Sequence, residues 1–391
     1  MGTTVTWNDT TNLQITNEKK KGQIRVIKVD QDNNEVRIPG VTFEIYDKYD
    51  GKFIEKLVTD SNGVAVSSRL PIGDYIIKET ATLDNYVLDD TPQVVTLEEN
   101  QIKDIQFENE RIKGQIQITK LSNEDNPYSG LPKGSPLEGA VYNVLDDSGN
   151  IVDTVTTGAD GTATTKMLYK GKYHIQEVAA PKYYLIDENT YDTEIKTNKQ
   201  VAGVTVSDNS VDISVEVQKS GFVETQSNDT IYYNFKNITN SSNVSLDNFT
   251  WQDTFPTNAL RIQKIYTGTW NQDLTYSIWY KTNMNDYILL KDNLSTNTNN
   301  EIDFTNVPLQ NGEYITDYQF RFGTVNSGFH EVDSPVLYCK MLDGLGNGFV
   351  FTNNTKVSGN YLDKYVEAND KWTTTTYEKS IQLDTLPRTG F

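Results

Sequence analysis

"IKGQIQITKLS", residues 112–122, repeats an earlier stretch, "KKGQIRVIKVD", residues 20–30. In the later copy Ile116, Ile118 and Lys120 share one parity, and Gln115, Gln117 and Thr119 share the other. A strand turns alternate residues to opposite faces, so the apolar face carries two isoleucines and then a lysine. Ile24, Val26 and Lys28 make the same face in the earlier copy. An unpaired ammonium group in an apolar core is costly. The lysine must therefore find partners there or lose its charge.

The repeat extends well beyond these strands. "GVTFEIYD" (40–47) returns as "GAVYNVLD" (139–146), and "TDSNGVAVSSRLPIGDYIIKET" (59–80) returns as "TGADGTATTKMLYKGKYHIQEV" (157–178). "DSNG" and "GADG" are turn sequences between short alternating segments. Two copies built this way read as two β-sandwiches in series, residues 19–111 and 112–210. The joint "ENERIKG" (108–114) is too short for a flexible linker, so a stiff, rod-like array is expected. "NLQITNEKKKGQI" (12–24) matches "DIQFENERIKGQI" (104–116). Residues 1–18 are thus expected to be the last strand of a truncated preceding copy.

Composition narrows the function. The 391 residues carry 54 acidic and 35 basic side chains, a formal net charge of -19. That balance argues against nucleic acid as a partner, since phosphate contacts need basic patches. One cysteine, Cys339, excludes an intrachain disulfide framework, and two histidines, His174 and His330, offer little for a zinc site or a histidine-based triad. The acidic loop "DQDNNE" (30–35) lacks a full calcium-loop pattern. No cofactor and no metal are expected. No stretch of about 20 apolar residues could span a membrane. Nothing suggests an enzyme acting on another molecule.

Partners for the lysines can be found by the same parity argument. Tyr75, Ile77 and Glu79 share a face in "DYIIKE", and Tyr173, Ile175 and Glu177 do so in "KYHIQE". Ile105, Phe107 and Asn109 share a face in "DIQFEN", and Val204, Val206 and Asp208 in "GVTVSD". Each copy thus offers an inward Lys, Glu and Asn or Asp, in the same order. Burial lowers a lysine pKa and raises a glutamate pKa, and neutral lysine is a nucleophile. Attack on the amide carbon of Asn109 would expel ammonia and leave an isopeptide; an Asp acceptor would lose water. The plain alternative is a buried Lys–Glu salt bridge. Asp208 is preferred to Asn209 because Asn209 has outward parity, and because Asp208 precedes Lys219 by the 11 positions that separate Asn109 from Lys120.

These residues resemble Cna protein B-type domains of Gram-positive surface proteins and pilins. The carrying segments are "GQIRVIKVD", "LPIGDYIIKET" and "IQFEN" in the first copy, and "GQIQITK", "PLEGAVYNV", "GKYHIQEVAAPKYYL" and "VTVSD" in the second. The resemblance implies a β-sandwich with an intramolecular Lys–Asn or Lys–Asp bond assisted by Glu. Lys28, Glu79 and Asn109 would form one triad, and Lys120, Glu177 and Asp208 the other.

Residues 211–378 read as a larger β-sandwich. "DISVEVQK" aligns Ile213, Val215, Val217 and Lys219; "NFTWQD" aligns Phe249, Trp251 and Asp253; "GFVFTN" aligns Phe349, Phe351 and Asn353. With "DTFP" (253–256), this resembles a second class of isopeptide-forming surface domain in which an Asp assists. Lys219, Asp253 and Asn353 are the matching positions, with Asn354 as an outward alternative. Each bond is expected to join the first strand of its domain to the last. The aromatic run "IYTGTWNQDLTYSIWYKTN" (265–283) is either core or a face that binds a host matrix protein or glycan.

Residues 379–391 read as a spacer and a sorting signal. "LPRTG", Leu386, Pro387, Arg388, Thr389 and Gly390, resembles the LPxTG motif of sortase substrates. The resemblance implies cleavage after Thr389 and transfer of its acyl group to peptidoglycan or another pilin subunit. The whole reads as an all-β, secreted protein of the cell wall or pilus. It is expected to be the stalk of an adhesin or a pilus subunit, with a ligand-binding module in 211–378 as the alternative.

Overall fold

The computed structural model describes residues 16–378. The expected strand in 1–18 lies almost wholly outside that range; residues 16–18 are exposed and not in a strand. The sorting signal lies outside it too. Among the described residues the fold is all-β, and no helix is long and apolar enough to cross a membrane. The chain divides into two compact units, one ending at Ser210 and the other beginning at Val211.

The first unit holds both repeats, each a two-sheet sandwich. In the first copy one sheet runs Phe53–Val58, Thr42–Asp47, Gly73–Ala81, Gln93–Leu97. The other centres on Lys21–Asp30, which pairs antiparallel with Val64–Val66 and parallel with Ile102–Asn109. The second copy repeats this order: Ile151–Thr156, Val141–Asp146, Gly171–Ala179, Thr190–Ile195 against Thr162–Thr164, Lys113–Ser122 and Val201–Asp208. Each copy has its own apolar core. Ile24, Val26, Phe43, Ile77 and Phe107 fill the first, and Ile116, Ile118, Tyr142, Ile175 and Val206 the second. Alternation accounts for both, because inward residues of facing sheets interdigitate.

The turns behave as their sequences require. Gly63 of "DSNG" has φ 67° and Gly161 of "GADG" has φ 73°. A Cβ at Gly63 would sit 2.8 Å from the Lys28 carbonyl oxygen, and one at Gly161 would sit 2.7 Å from that of Lys120. Both turns therefore need glycine for conformation and for close approach.

The joint between the copies is held by side chains. Asp30, fully buried, accepts from the Tyr86 hydroxyl at 2.8 Å and pairs with Arg111. The Arg111 guanidinium in turn lies 5.0 Å from the ring centre of Tyr169 in the second copy. Lys113 pairs with Asp32 at 2.5 Å and Lys170 with Asp84 at 2.5 Å. Burial alone would raise the Asp30 pKa. The bonds from Arg111, Tyr86 and the Asp32 N–H outweigh it and hold that carboxyl below its ordinary value.

The second unit packs a five-stranded sheet with a seven-stranded one. The first runs Val215–Ser220, Thr230–Asn240, Val336–Met341, Leu260–Tyr266, Glu301–Asp303. The second runs Glu224–Thr225, Lys364–Thr376, Val350–Tyr361, Leu246–Thr254, Ile315–Val325, Thr275–Thr282, Ile288–Ser295. Trp251, Phe249, Phe320 and Phe235 lie in its interior. The expectation that every bond joins first strand to last needs correction here. Asn353 lies on Val350–Tyr361, and a further strand, Lys364–Thr376, pairs beside it.

Candidate functional site: three buried lysines

All three lysines on apolar faces are buried, Lys28 and Lys120 at 0% exposure and Lys219 at 5%. Each has a carboxylate and a second polar side chain beside it.

In the first copy Lys28 and Asn109 stand on neighbouring parallel strands, with Lys28 opposite Phe107 and Asp30 opposite Asn109. The acceptor is thus two positions along from the lysine's partner, on the same face. Glu79 comes from the opposing sheet, opposite Phe43, where the pairing register slips between Thr42 and Phe43. Such a slip re-aims side chains locally. Lys28 Nζ donates to Glu79 Oε2 at 2.6 Å and to Asn109 Oδ1 at 2.6 Å. Asn109 Nδ2 donates to Glu79 Oε1 at 2.6 Å and to Thr82 Oγ1 at 2.8 Å. Amine, carboxylate and amide form a closed ring walled by Phe43 and Phe107, whose ring centres lie 5.9 and 6.0 Å from Nζ. Burial pulls the Lys28 pKa down, against the opposing pull of Glu79.

The second copy uses the same positions with different chemistry. Glu177 stands opposite Tyr142, again where the register slips. Lys120 lies opposite Val206 and Ser122 opposite Asp208. Lys120 Nζ donates to Glu177 Oε2 at 3.1 Å and to Asp208 Oδ1. The Asp187 N–H also donates to Glu177 Oε2, at 2.7 Å. Glu177 Oε1 and Asp208 Oδ2 are buried with no donor. Burial raises the Asp208 pKa to about 7, despite Lys120.

In the second unit the three groups bridge the two sheets. Lys219 comes from the edge of the five-stranded sheet, while Asp253 and Asn353 lie on adjacent strands of the seven-stranded one. Lys219 Nζ bonds Asp253 Oδ1, and Asn353 Nδ2 donates to Asp253 Oδ2 at 3.0 Å. Asn353 Oδ1 has no donor. Tyr233 and Phe235 cover the amine at 4.7 and 4.9 Å. Burial pushes the Lys219 pKa down and the Asp253 pKa up. The rejected neighbours Asn209 and Asn354 are both exposed.

Each group can move a proton from amine to carboxylate through a hydrogen bond, away from water. Each also holds an electrophilic carbon on the Asn or Asp side chain. Sequence reasoning missed Thr82, because its place in the second copy is taken by Ala180. It missed Asp187, whose contribution is a backbone N–H. It also missed Asp30 with Arg111, because strand parity says nothing about a joint.

The aromatic run in 265–283 is mostly core. Trp270, Tyr276 and Tyr280 are buried, with Trp270 stacked on Phe329 at 5.2 Å. This removes most of the side chains on which a binding face there would depend. Cys339 is buried, and burial raises its thiol pKa well above the ordinary value.

Residues 22–111 and 114–210 each match the family described as SpaA, a prealbumin-like fold domain. A 76-residue segment, 19% of the chain, is 42% identical to the trypsin-resistant surface T6 protein of Streptococcus pyogenes serotype M6, and spans 14% of that protein. Among solved structures, the TIE protein of Bacillus anthracis matches over 92% of this chain and 50% of its own, with 18% identity and a TM-score of 0.42. A C-terminal fragment of the pilus adhesin SpaC from Lactobacillus rhamnosus GG matches over 48% of this chain and 97% of its own, with 14% identity and a TM-score of 0.32. At such scores these structural likenesses carry no functional argument.

Proposed function

We propose that the chain is part of a wall-anchored surface protein of a Gram-positive bacterium. It would serve as the stalk of an adhesin or as a pilus subunit, its Cna B-type and larger domains closed by self-made isopeptide bonds. One observation carries the reading: three buried lysines each share a dry site with a carboxylate and an Asn or Asp. Lys28 would join Asn109 with Glu79 assisting, Lys120 would join Asp208 with Glu177, and Lys219 would join Asn353 with Asp253.

The proton count of the Lys–Asn reaction closes within the site. Lys–NH3⁺, carboxylate and Asn amide give Lys–NH–CO–Asn, ammonia and a neutral carboxyl. The carboxylate takes one ammonium proton and a second leaves in ammonia. In each repeat the bond would tie the entering strand to the leaving strand. Tension would then pass through it and spare the sandwich between. Unlike a disulfide, the bond resists reduction, which suits a chain with one cysteine. The SpaA-type matches and the T6 similarity support a surface role. The "LPRTG" sequence supports sortase transfer through Thr389, to peptidoglycan or another pilin.

The test is the intact mass. Three bonds remove about 52 Da, about 17 for each Asn and about 18 for the Asp. Peptides linking the three pairs are expected. A full sequence mass would leave the lysines as ion pairs, and the proposal would fall.

A further inference from the structure

The side-chain amide of Asn109 is anchored at three points. Its Oδ1 accepts from Lys28 Nζ at 2.6 Å, one Nδ2 hydrogen goes to Glu79 Oε1 at 2.6 Å, and the other goes to Thr82 Oγ1 at 2.8 Å. Charged lysine only donates and a carboxylate only accepts, so Lys28 and Glu79 fix which end of the amide faces the amine. They leave it free to turn about the line through their two contacts. Thr82 supplies the third point and sets the plane of the amide. A nucleophile reaches a carbonyl carbon from above that plane, so the plane decides whether Nζ is aligned for attack. In the second unit Asn353 is held less completely: Nδ2 donates to Asp253 Oδ2, and the buried Oδ1 has no donor.

A bulge delivers Thr82 to this place. Glu79 pairs with Phe43 and Ala81 with Thr42, so Thr80 is skipped in the register. Strict alternation would put Thr82, three positions after Glu79, on the opposite face. The extra residue cancels one step and returns it to the face of Glu79. The second copy has the same slip, with Glu177 opposite Tyr142 and Ala179 opposite Val141. The first residue beyond each strand, Gly73–Ala81 and Gly171–Ala179, is Thr82 in one copy and Ala180 in the other. The acceptor changes with it, from Asn109 to Asp208. A hydroxyl is present where the acceptor has N–H groups to place, and absent where it has none.

We propose that Thr82 fits the first copy to an Asn acceptor, by holding the second hydrogen of the amide nitrogen that must leave, and that Ala180 fits the second copy to an Asp. This rests on the isopeptide reading above. The step forms the bond from Lys28 Nζ to Asn109 Cγ and breaks the bond from Cγ to Nδ2. The ammonium gives one proton to Glu79 and one to the departing nitrogen, which leaves as ammonia. The Thr82 hydroxyl ends as it began, so it alters the geometry and not the proton count. In the second copy Lys120–NH3⁺ and Asp208–COO⁻ sum directly to the amide and one water. A hydroxyl there would donate to Asp208 and favour its ionised form, the poorer electrophile.

The experiment starts from full-length chain recovered unfolded in urea, with its full sequence mass verified. It is diluted into neutral buffer and quenched at intervals. Peptide mapping follows the Lys28–Asn109 link, with the Lys120–Asp208 link in the same sample as the reference. Thr82→Val keeps the branched shape and removes the hydroxyl; it should slow the first link about fivefold relative to the second, the worth of one neutral hydrogen bond. Thr82→Ser should restore the rate to within about twofold. In an Asn109→Asp background, which has no N–H to hold, Thr82→Val should not slow the link. An unchanged rate in Thr82→Val overturns the proposal, and so does equal slowing with Asn and with Asp, which would mark a merely structural role. If the Asn109→Asp variants do not fold, the second copy decides. There Asp208→Asn with Ala180→Thr should outpace Asp208→Asn alone, and equal rates overturn the proposal. Absence of the Lys28–Asn109 link from the unsubstituted chain overturns the isopeptide reading, and this proposal with it.

Discussion

Pulling the chain by its ends offers a direct measure of what the first site does. Lys28 and Asn109 lie 81 positions apart in sequence but on adjacent parallel strands. A covalent link between them shields the chain from residue 29 to residue 108. Without the link, unfolding of that copy releases 81 steps, about 280 Å at roughly 3.5 Å per residue. The variant to pull is Lys28→Met with Glu79→Gln. The thioether fills the slot between Phe43 and Phe107, and no unpaired charge stays buried, which would otherwise cost about 3–5 kcal/mol. Single-molecule force spectroscopy should show no step of this length in the unsubstituted chain and one near 280 Å in the variant. The matching change in the second copy, Lys120→Met with Glu177→Gln, should release 88 steps, about 310 Å. A step near 280 Å in the unsubstituted chain, or none in the variant, would refute the force-path argument.

The same double variant should lower the melting temperature of that copy by at least about 15 °C by calorimetry. The link restricts the unfolded chain by about 4–5 kcal/mol in the entropic model, and each kcal/mol moves a domain of this size by several degrees. Gly63→Ala should destabilise the first copy and slow its link, measured by melting and peptide mapping, because the new Cβ meets the Lys28 carbonyl. Asp30→Ala should cost about 1–3 kcal/mol by denaturant titration, as Tyr86 and Arg111 lose a buried partner. The Asp30 pKa is lowered on folding. Its contribution is therefore present above the unfolded value of 3.8 and lost as pH falls through the lower folded one, visible in acid melts of Asp30→Asn against the unsubstituted chain. Cys339 should resist alkylation at pH 8 in the folded protein and react fully in denaturant.

Much of this protein is legible in its sequence because strand parity has a period of two. A lysine in step with isoleucines must face the core, and Lys28, Lys120 and Lys219 do. The same rule separates Asp208 from Asn209 and Asn353 from Asn354. The internal repeat did the rest, since a polar triplet met twice in the same order is hard to assign to chance. Parity has no reach across a joint, between sheets, or along the backbone of a loop. Only the tertiary structure brings Asp30 to Arg111, places Asn353 one strand short of the end, and turns most of the 265–283 aromatics inward. It alone sets the Asp187 N–H on Glu177 and leaves Glu177 Oε1 and Asp208 Oδ2 buried without a donor. Which face a residue takes is decided locally by backbone geometry. Which groups meet on that face is decided by the packing of strands far apart in sequence.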